Sequence, residues 1–326
     1  MRNFILLATL AMAAAALPAT ITVTKPTEGD FLGRNNTVQF NIEGSNREVT
    51  VVVTATYLAD PTNQIRQERK FTPDPDGKIS GSIPLNFAES SPQGTYSIQV
   101  VATEPNNTYN SVPPINVTVD VRNPKVVDFN PIDGAFVTGV VPIRATLDED
   151  NIKEWRVRVG GADIPNNSGT SRDVQVQWDT SAILTDGPQN IELRVDDLAE
   201  NSLTRSATVT VDRRPPTPTV LAPANNSTIP PRTSLAVVLR VQDQFTGSVD
   251  LTGIDVTIQT LDGRFFGRVS RRSIRQEGSQ IVWTGRLRST RDLPGTFKII
   301  VRTVDKAGNQ GAVQEVTVRL SGRGRG

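Results

Sequence analysis

Apolar and polar residues alternate along most of this chain, in short runs that are rich in valine, isoleucine and threonine. Glycine, proline, asparagine and aspartate separate these runs. The pattern predicts short antiparallel strands that each bury one face and are joined by turns. Stretches with helical periodicity are nearly absent after residue 19, so we expect an all-β protein.

One pattern of strand, polar turn and strand occurs three times. The copies read TYSIQVVATEPNNTYNSVPPINVTVDV, QNIELRVDDLAENSLTRSATVTV and TFKIIVRTVDKAGNQGAVQEVTV. Alternate residues in both strands of each copy are apolar, which predicts that they face one core. They are Tyr96, Ile98, Val100, Val117, Val119 and Val121; Ile191, Leu193, Val195, Ala207, Val209 and Val211; and Phe297, Ile299, Val301, Val316, Val318 and Leu320.

Each repeat also begins alike, with a proline and a polar turn before an apolar pair. The prolines are Pro26, Pro131 and Pro223, and their spacing of roughly 100 residues is that of one sandwich domain. Further inside, VPIRATLDED matches LAVVLRVQDQ. These observations predict three domains and a disordered basic tail, at residues 20–122, 123–213, 214–321 and 322–326.

The final hairpin, Gly295 to Leu320, with Asp305, Ala307, Gly308 and Asn309 in its turn, resembles that of bacterial immunoglobulin-like domains. The segment TGIDVTIQTLDG is similar to an interior strand and turn of the same group. The resemblance covers the third domain best and the first mainly through periodicity. It implies three tandem immunoglobulin-like Greek-key β-sandwiches in an elongated array, within a cadherin-like, surface-attached repeat protein. It implies no particular ligand.

The first 19 residues have the layout of a secretory signal peptide. Arg2 precedes an apolar run from Phe4 to Ala16, and alanines supply a cleavage region after Ala16 or Ala19. The run is shorter than the roughly 20 residues of a membrane-spanning helix. We therefore expect a protein that is secreted or held at the cell surface, with no transmembrane segment in the mature chain.

The chain contains no cysteine and no histidine. Each domain must therefore be held together by its hydrophobic core rather than by disulfides. The lack of histidine excludes Ser-His-Asp triads and His-based zinc sites. No carboxylate pair or Ser-Lys pair has a favourable spacing, so we expect no enzyme activity and no cofactor other than calcium.

Charge is distributed unevenly, although the net charge of the chain is only +1. Residues 20–122 carry −3 and residues 123–213 carry −6, whereas residues 214–326 carry +9. Clustered arginines of the third domain predict a surface that binds a polyanion, with salt-dependent affinity. The alternative is that they protect exposed strand edges from aggregation. The clustered arginines are Arg264, Arg268, Arg271, Arg272, Arg275, Arg286, Arg288 and Arg291.

Acidic residues in the second domain suggest a calcium site. In an immunoglobulin-like sandwich, the loop after the second strand and the closing turn lie at one end. Carboxylates in these two loops would supply hard oxygen ligands, but no D-x-D-x-D-G loop is present, and solvated loops are the alternative. Asp243, Asp250 and Asp305 occupy comparable places in the third domain and predict a poorer site. The predicted ligands in the second domain are Asp148, Glu149, Asp150, Asp196, Asp197 and Glu200.

The leading hypothesis is a non-enzymatic array that acts as an adhesive or structural spacer. Its expected partner is a surface polysaccharide or other polyanion, or another surface protein; no module for specific nucleic-acid recognition is present. The alternative is a carbohydrate-binding or accessory module of an extracellular enzyme system, which rows of exposed aromatic residues would favour. Trp155, Trp178 and Trp283 lie in alternating strands, so we expect them to pack in a core or at its edge.

Overall fold

The computed structural model describes residues 20–105, 107–110 and 113–322. The expected signal peptide, residues 1–19, and the last four residues of the expected basic tail lie outside the described residues. Among the described residues, no helix has the length and apolar composition needed to cross a membrane.

The chain forms two compact units. Unit 1 runs to Lys125 and also includes Glu149–Glu154 and Val195–Leu203. The rest of the chain forms unit 2, which comprises Val126–Asp148, Trp155–Arg194 and Thr204–Gly326. The domain boundaries expected from the sequence stay a prediction.

The first sandwich has a sheet in the order β1-β3-β6 and a second in the order β2-β9-β7-β4-β5, with β8 paired to β7. Its strands are Thr20–Lys25 (β1), Phe31–Leu32 (β2), Asn35–Glu43 (β3), Val49–Tyr57 (β4), Gln64–Phe71 (β5), Lys78–Asn86 (β6), Gly94–Glu104 (β7), Asn107–Asn110 (β8) and Ile115–Val119 (β9).

The second sandwich has sheets in the orders β10-β12-β15 and β11-β17-β16-β13-β14. A 3-10 turn at Thr180–Ala182 follows β15. The strands are Lys125–Asn130 (β10), Phe136–Val137 (β11), Val140–Asp148 (β12), Ile152–Val159 (β13), Ala162–Gly169 (β14), Asp173–Asp179 (β15), Gly187–Asp197 (β16) and Ser202–Val211 (β17).

The third sandwich has sheets in the orders β18-β20-β24-β23 and β19-β26-β25-β21-β22. Its strands are Thr217–Ala222 (β18), Ser227–Ile229 (β19), Leu235–Gln242 (β20), Asp255–Gln259 (β21), Phe265–Arg268 (β22), Ser270–Glu277 (β23), Gln280–Leu287 (β24), Thr296–Arg302 (β25) and Gln314–Leu320 (β26).

The three sandwiches share a split first strand. Its first part lies in the smaller sheet. Its second part lies in the larger sheet and pairs in parallel with the strand that comes last in the sequence of that sandwich, as β2 with β9, β11 with β17 and β19 with β26. Pro26, Pro131 and Pro223 separate the two parts, each after a cis peptide bond. Proline cannot donate a hydrogen bond to a ladder, so pairing of the first part stops there. This strand order confirms tandem immunoglobulin-like sandwiches.

The repeated hairpins supply the predicted core residues. In β7 and β9, Tyr96 lies opposite Val117, and in β25 and β26 Phe297 lies opposite Val318. Of the apolar residues predicted from the repeats, all are buried except Leu320, which is half-buried against the third core. The three tryptophans are also buried, which confirms that they pack in the cores.

A glycine lies against a large ring in each sandwich. A Cβ atom at Gly81 would be 2.5 Å from the Phe40 ring, and one at Gly285 would be 2.2 Å from the Trp283 ring. A Cβ at Gly169 would likewise be 2.5 Å from Trp155. The rings fill the space that a side chain would occupy, so the cores need glycine at these positions.

We expect Gly285→Ala to destabilise the third sandwich by about 1 to 3 kcal/mol, because its Cβ would overpack against Trp283 and Val269. Gly267→Ala is the matched control, since no heavy atom lies within 4 Å of its Cβ position. Urea unfolding followed by hydrogen exchange of peptides from β24 and β25 measures the difference. Equal midpoints for the two variants would contradict this packing.

Candidate cation and polyanion sites

Two closing turns contain the same pair of side chains, an aspartate and an asparagine four residues later. The Asn201 backbone N–H donates to Asp197 Oδ1 at 2.8 Å, and Asn201 Nδ2 donates to Asp197 Oδ2 at 2.8 Å. The Asn309 N–H and Nδ2 donate to the two oxygens of Asp305 at 2.8 and 2.7 Å. Each asparagine therefore fixes both oxygens of its aspartate.

Each asparagine also reaches a residue that follows the last strand of the preceding repeat. Within unit 1, Asn201 Nδ2 donates to the carbonyl oxygen of Asp120 at 2.9 Å. Within unit 2, Asn309 Nδ2 donates to the carbonyl oxygen of Asp212 at 2.8 Å. These two bonds connect residues 81 and 97 positions apart, and they bring a second carboxylate, that of Asp120 or Asp212, towards each turn.

In unit 1, one carboxylate oxygen each from Asp120, Glu149 and Asp197 lies within 4.8 Å of the other two. Asp120 Oδ1 accepts hydrogen bonds from Gln93 Nε2 and from the Arg122 N–H, both at 3.0 Å. Burial raises the pKa of Asp197; the hydrogen bonds from Asn201 oppose this rise, and the charge of Asp120 adds to it. We call these three residues the unit 1 cluster.

Two of the six predicted calcium ligands, Glu149 and Asp197, lie in the unit 1 cluster. Calcium binding there stays a prediction, with Asp120 as a ligand that the sequence did not reveal. The other four predicted ligands lie outside the cluster. Asp148, Asp150 and Glu200 are exposed, and Asp196 is half-buried.

In unit 2, carboxylate oxygens of Asp212, Asp243 and Asp305 lie within 4.8 Å of one another. Asp212 directly follows β17, Asp243 directly follows β20, and Asp305 lies in the turn between β25 and β26. Their exposed fractions are 0%, 7% and 3%. We call these three residues the unit 2 cluster.

Asp250, which the sequence grouped with Asp243 and Asp305, lies outside this cluster. Its carboxylate accepts hydrogen bonds from the N–H and Oγ1 of Thr252, at 2.8 and 2.7 Å. The bond from the Thr252 side chain is the main cause that lowers the pKa of Asp250. The third carboxylate beside Asp243 and Asp305 is that of Asp212, where the sequence predicted Asp250.

Burial makes the unit 2 cluster hard to ionise completely. It raises the pKa of Asp212 to about 6, and the charges of Asp243, Asp305 and Asp186 add to this effect. Burial also raises the pKa of Asp243, and the hydrogen bond from Ser248 Oγ opposes it at 2.5 Å. Like charges at short range disfavour ionisation and therefore raise the pKa of a carboxyl group, as burial does.

A signal for both clusters was present in the sequence. The two turns read DLAEN and DKAGN, so both have the pattern D-x-A-x-N. The match between VPIRATLDED and LAVVLRVQDQ also aligns Glu149 with Asp243. Asp120 and Asp212 each directly follow the last strand of their repeat, two residues before an arginine, where turn and strand patterns give no reason to expect a ligand.

All eight predicted arginines are exposed. Most lie on or beside the strands β22, β23 and β24. Strand β22 is at one edge of the five-stranded sheet of the third sandwich, and β23 is at one edge of the four-stranded sheet, where it pairs with β24. Arg268 forms an ion pair with Asp255 at 3.2 Å, and Arg275 with Glu277 at 2.6 Å. Arg286 donates to Ser234 Oγ at 2.7 Å. We call the eight arginines the basic surface.

Two phenylalanines are exposed beside the basic surface. Phe265 and Phe266 are 59% and 43% exposed, and Arg264 and Arg268 flank them in sequence. They lie on the edge strand β22. The surface therefore offers apolar area beside its positive charge.

No family model matches the chain. Bacillopeptidase F of Bacillus subtilis is 23% identical over 189 residues, which cover 56% of this chain and 12% of that protein. The chain thus spans only a small part of that relative.

Three similar solved structures are tandem arrays. The I67–I69 fragment of titin has a TM-score of 0.41 and 13% identity, and the match covers 94% of this chain and 99% of that one. A Ca2+-stabilised adhesin of an Antarctic bacterium has a TM-score of 0.34 and 16% identity, with 94% of this chain and 75% of that one covered. The fibronectin(III)-like modules of Clostridium thermocellum CbhA have a TM-score of 0.36 and 19% identity, with 59% of this chain and 94% of that one covered. Because the TM-scores are low, our fold assignment rests on strand order and register.

We expect Asn309→Ala to destabilise unit 2 by about 1 to 3 kcal/mol, because it leaves the Asp305 carboxylate and the Asp212 carbonyl without their amide donor. Gln310→Ala is the control, since Gln310 is exposed in the same turn. Chemical unfolding followed by hydrogen exchange of β25 and β26 measures both. A loss of the same size in the control would contradict the role of Asn309.

Asp212 should give unit 2 a characteristic pH dependence when a chelator is present. The folded-state pKa of about 6 lies above the ordinary value of 3.8, so the folded state binds the Asp212 proton more tightly than the unfolded state does. The stability that this proton contributes is complete below pH 4 and is lost as pH rises through 6. Relative to Asp212→Asn, the free energy of unfolding of the wild type should fall by about 1 to 3 kcal/mol between pH 4 and 7.

Asp250→Asn is the control with the opposite sign. Because the folded-state pKa of Asp250 is lowered, its stabilising effect is present above pH 4 and is lost as pH falls. Unfolding measured across this pH range separates the two variants. Parallel profiles for both would show that the Asp212 carboxylate is not buried as described.

Proposed function

We propose that this chain is a non-enzymatic repeat protein of the cell surface, a structural spacer or adhesive that binds an anionic polymer through its basic surface. The observation that carries the proposal is that all eight arginines are exposed. Residues 214–326 also hold a charge of +9, whereas the preceding parts of the mature chain are acidic. A polyanion is attracted to one end of the sequence and repelled by the rest.

The arrangement of the arginines supports binding as well as protection of strand edges. Arg271 and Arg272 lie on the edge strand β23, but Arg286 lies on β24, which has neighbours on both sides. Protection of an edge does not need charge on an interior strand. Phe265 and Phe266 add apolar area, which gives contacts besides the charge.

The accessory carbohydrate-binding role has less support. Such a role usually requires a row of aromatic rings on an exposed surface, and Trp155, Trp178 and Trp283 are 5%, 3% and 2% exposed. Phe265 and Phe266 are exposed, but they form a single pair on one edge strand. The lack of histidine also excludes the commonest general base of hydrolytic enzymes. Export to the cell surface is part of our proposal and depends on residues 1–19, which lie outside the described residues.

The test of this function is binding of the full chain to dextran sulfate, with neutral dextran as the uncharged comparison. We expect affinity to fall steeply as salt rises. The triple variant Arg271→Gln, Arg272→Gln and Arg288→Gln should bind at least tenfold more weakly, and its slope of log K against log salt should be smaller by about 2 to 3.

The matched control is Lys125→Gln, Arg144→Gln and Arg205→Gln, which removes three exposed charges from outside the third sandwich. It should keep wild-type affinity and slope. If both triple variants lose affinity equally, only overall charge matters and the proposed surface is wrong. Binding that is insensitive to salt would contradict the proposal directly.

A further inference from the structure

The unit 2 cluster confines three carboxylates without a basic partner. Within the described residues, no lysine or arginine forms an ion pair with Asp212, Asp243 or Asp305. Arg213, the nearest cation in sequence to Asp212, is paired with Asp186 at 2.6 Å. Buried charges normally require a partner of opposite sign, since burial of an unpaired carboxylate costs several kcal/mol.

One carboxylate oxygen of the unit 2 cluster is buried without a hydrogen-bond partner. Oδ2 of Asp212 is buried and has no hydrogen-bond partner in the structure, and its other oxygen accepts only a long bond of 3.3 Å from the Arg214 N–H. Asp212 is completely buried, and its carboxylate reaches the other two carboxylates of the cluster. Buried carboxylate oxygens without a partner are rare, because the lost hydration is not replaced.

Two neutral oxygens nearby in sequence are also buried without a partner. They are Gln244 Oε1, in the residue after Asp243, and Thr303 Oγ1, two residues before Asp305. Both atoms are hard oxygen donors of the kind that accompany carboxylates around calcium. Asp243 and Asp305 thus each have a residue close in sequence that carries a buried, unused acceptor oxygen.

The unit 1 cluster lacks these features. Glu149 is only half-buried and its Oε1 accepts a bond of 2.7 Å from the Asn151 N–H, and Asp120 Oδ1 accepts two hydrogen bonds of 3.0 Å, from Gln93 Nε2 and the Arg122 N–H. In the described part of unit 1, none of the three carboxylates has a buried oxygen without a partner. On these grounds we favour the unit 2 cluster as the cation site, whereas the sequence favoured the second domain.

We propose that Asp212, Asp243 and Asp305 bind one divalent cation of the oxygen-preferring kind, with calcium as the best fit. Two oxygens that bind the same calcium ion at about 2.4 Å cannot be more than about 4.8 Å apart, and every pair in the cluster meets this limit. The chain has no histidine or cysteine to favour zinc or copper. This site goes beyond the proposed function and is independent of the basic surface.

The ligands come from three separate segments of unit 2. Asp212 follows the last strand of the second sandwich, whereas Asp243 and Asp305 belong to the third. The Asn309 amide already holds the Asp212 carbonyl. A bound cation would add a second, charged connection at the same place and would stabilise this part of unit 2 by mass action.

The test is calorimetric titration of the full chain with calcium after treatment with a chelator. We expect Asp212→Asn to lose one bound ion, or to bind it at least tenfold more weakly, and Asp243→Asn to do the same. Asp250→Asn is the matched control and should bind as the wild type does. The asparagine variants remove a buried charge, so they should remain folded with chelator present.

Hydrogen exchange of the same samples locates the effect. Calcium should slow exchange of peptides covering residues 204–215 and 300–312 in the wild type and in Asp250→Asn, but not in Asp212→Asn. Two outcomes would overturn the proposal. One is a wild type that binds no calcium at millimolar concentration; the other is a calcium effect that survives in Asp212→Asn and disappears only in Asp197→Asn.

Discussion

The hydrogen bonds of two asparagine side chains determine how the acidic residues of this protein meet. Asn201 and Asn309 each hold the carboxylate of their own turn and the carbonyl of a residue that follows the preceding repeat. Because the carbonyl belongs to an aspartate, this bond brings a second carboxylate into the same buried space. The repeat therefore brings carboxylates together wherever an aspartate directly follows the last strand, as Asp120 follows β9 and Asp212 follows β17.

The cores and the acidic clusters differ in how much the sequence revealed. Alternation with period two predicted the paired strands and nearly all of their core residues, because in a hairpin the partner lies close in sequence and its face follows from register. Asp212 and Asp305 are 93 positions apart in the chain. No local pattern says that they meet, and the Asp and Asn of a closing turn are equally explained by turn formation.

The two kinds of charge have opposite environments. The arginines of the third sandwich are exposed, and their electrostatic effect extends into solvent, where salt screens it. The carboxylates of the unit 2 cluster are buried, so their mutual repulsion is strong and acts on folding. The basic surface is therefore suited to a partner outside the chain. The unit 2 cluster is suited to a small ion that becomes part of the fold.

The most direct measurement is a crystal structure of the full chain grown with calcium. We expect a density peak within about 2.3 to 2.6 Å of one oxygen each from Asp212, Asp243 and Asp305. Oδ2 of Asp212, which has no hydrogen-bond partner, should be among the oxygens that coordinate it. A structure in which these three carboxylates turn apart into solvent, or in which an arginine or lysine neutralises them, would show that this cluster is not a cation site.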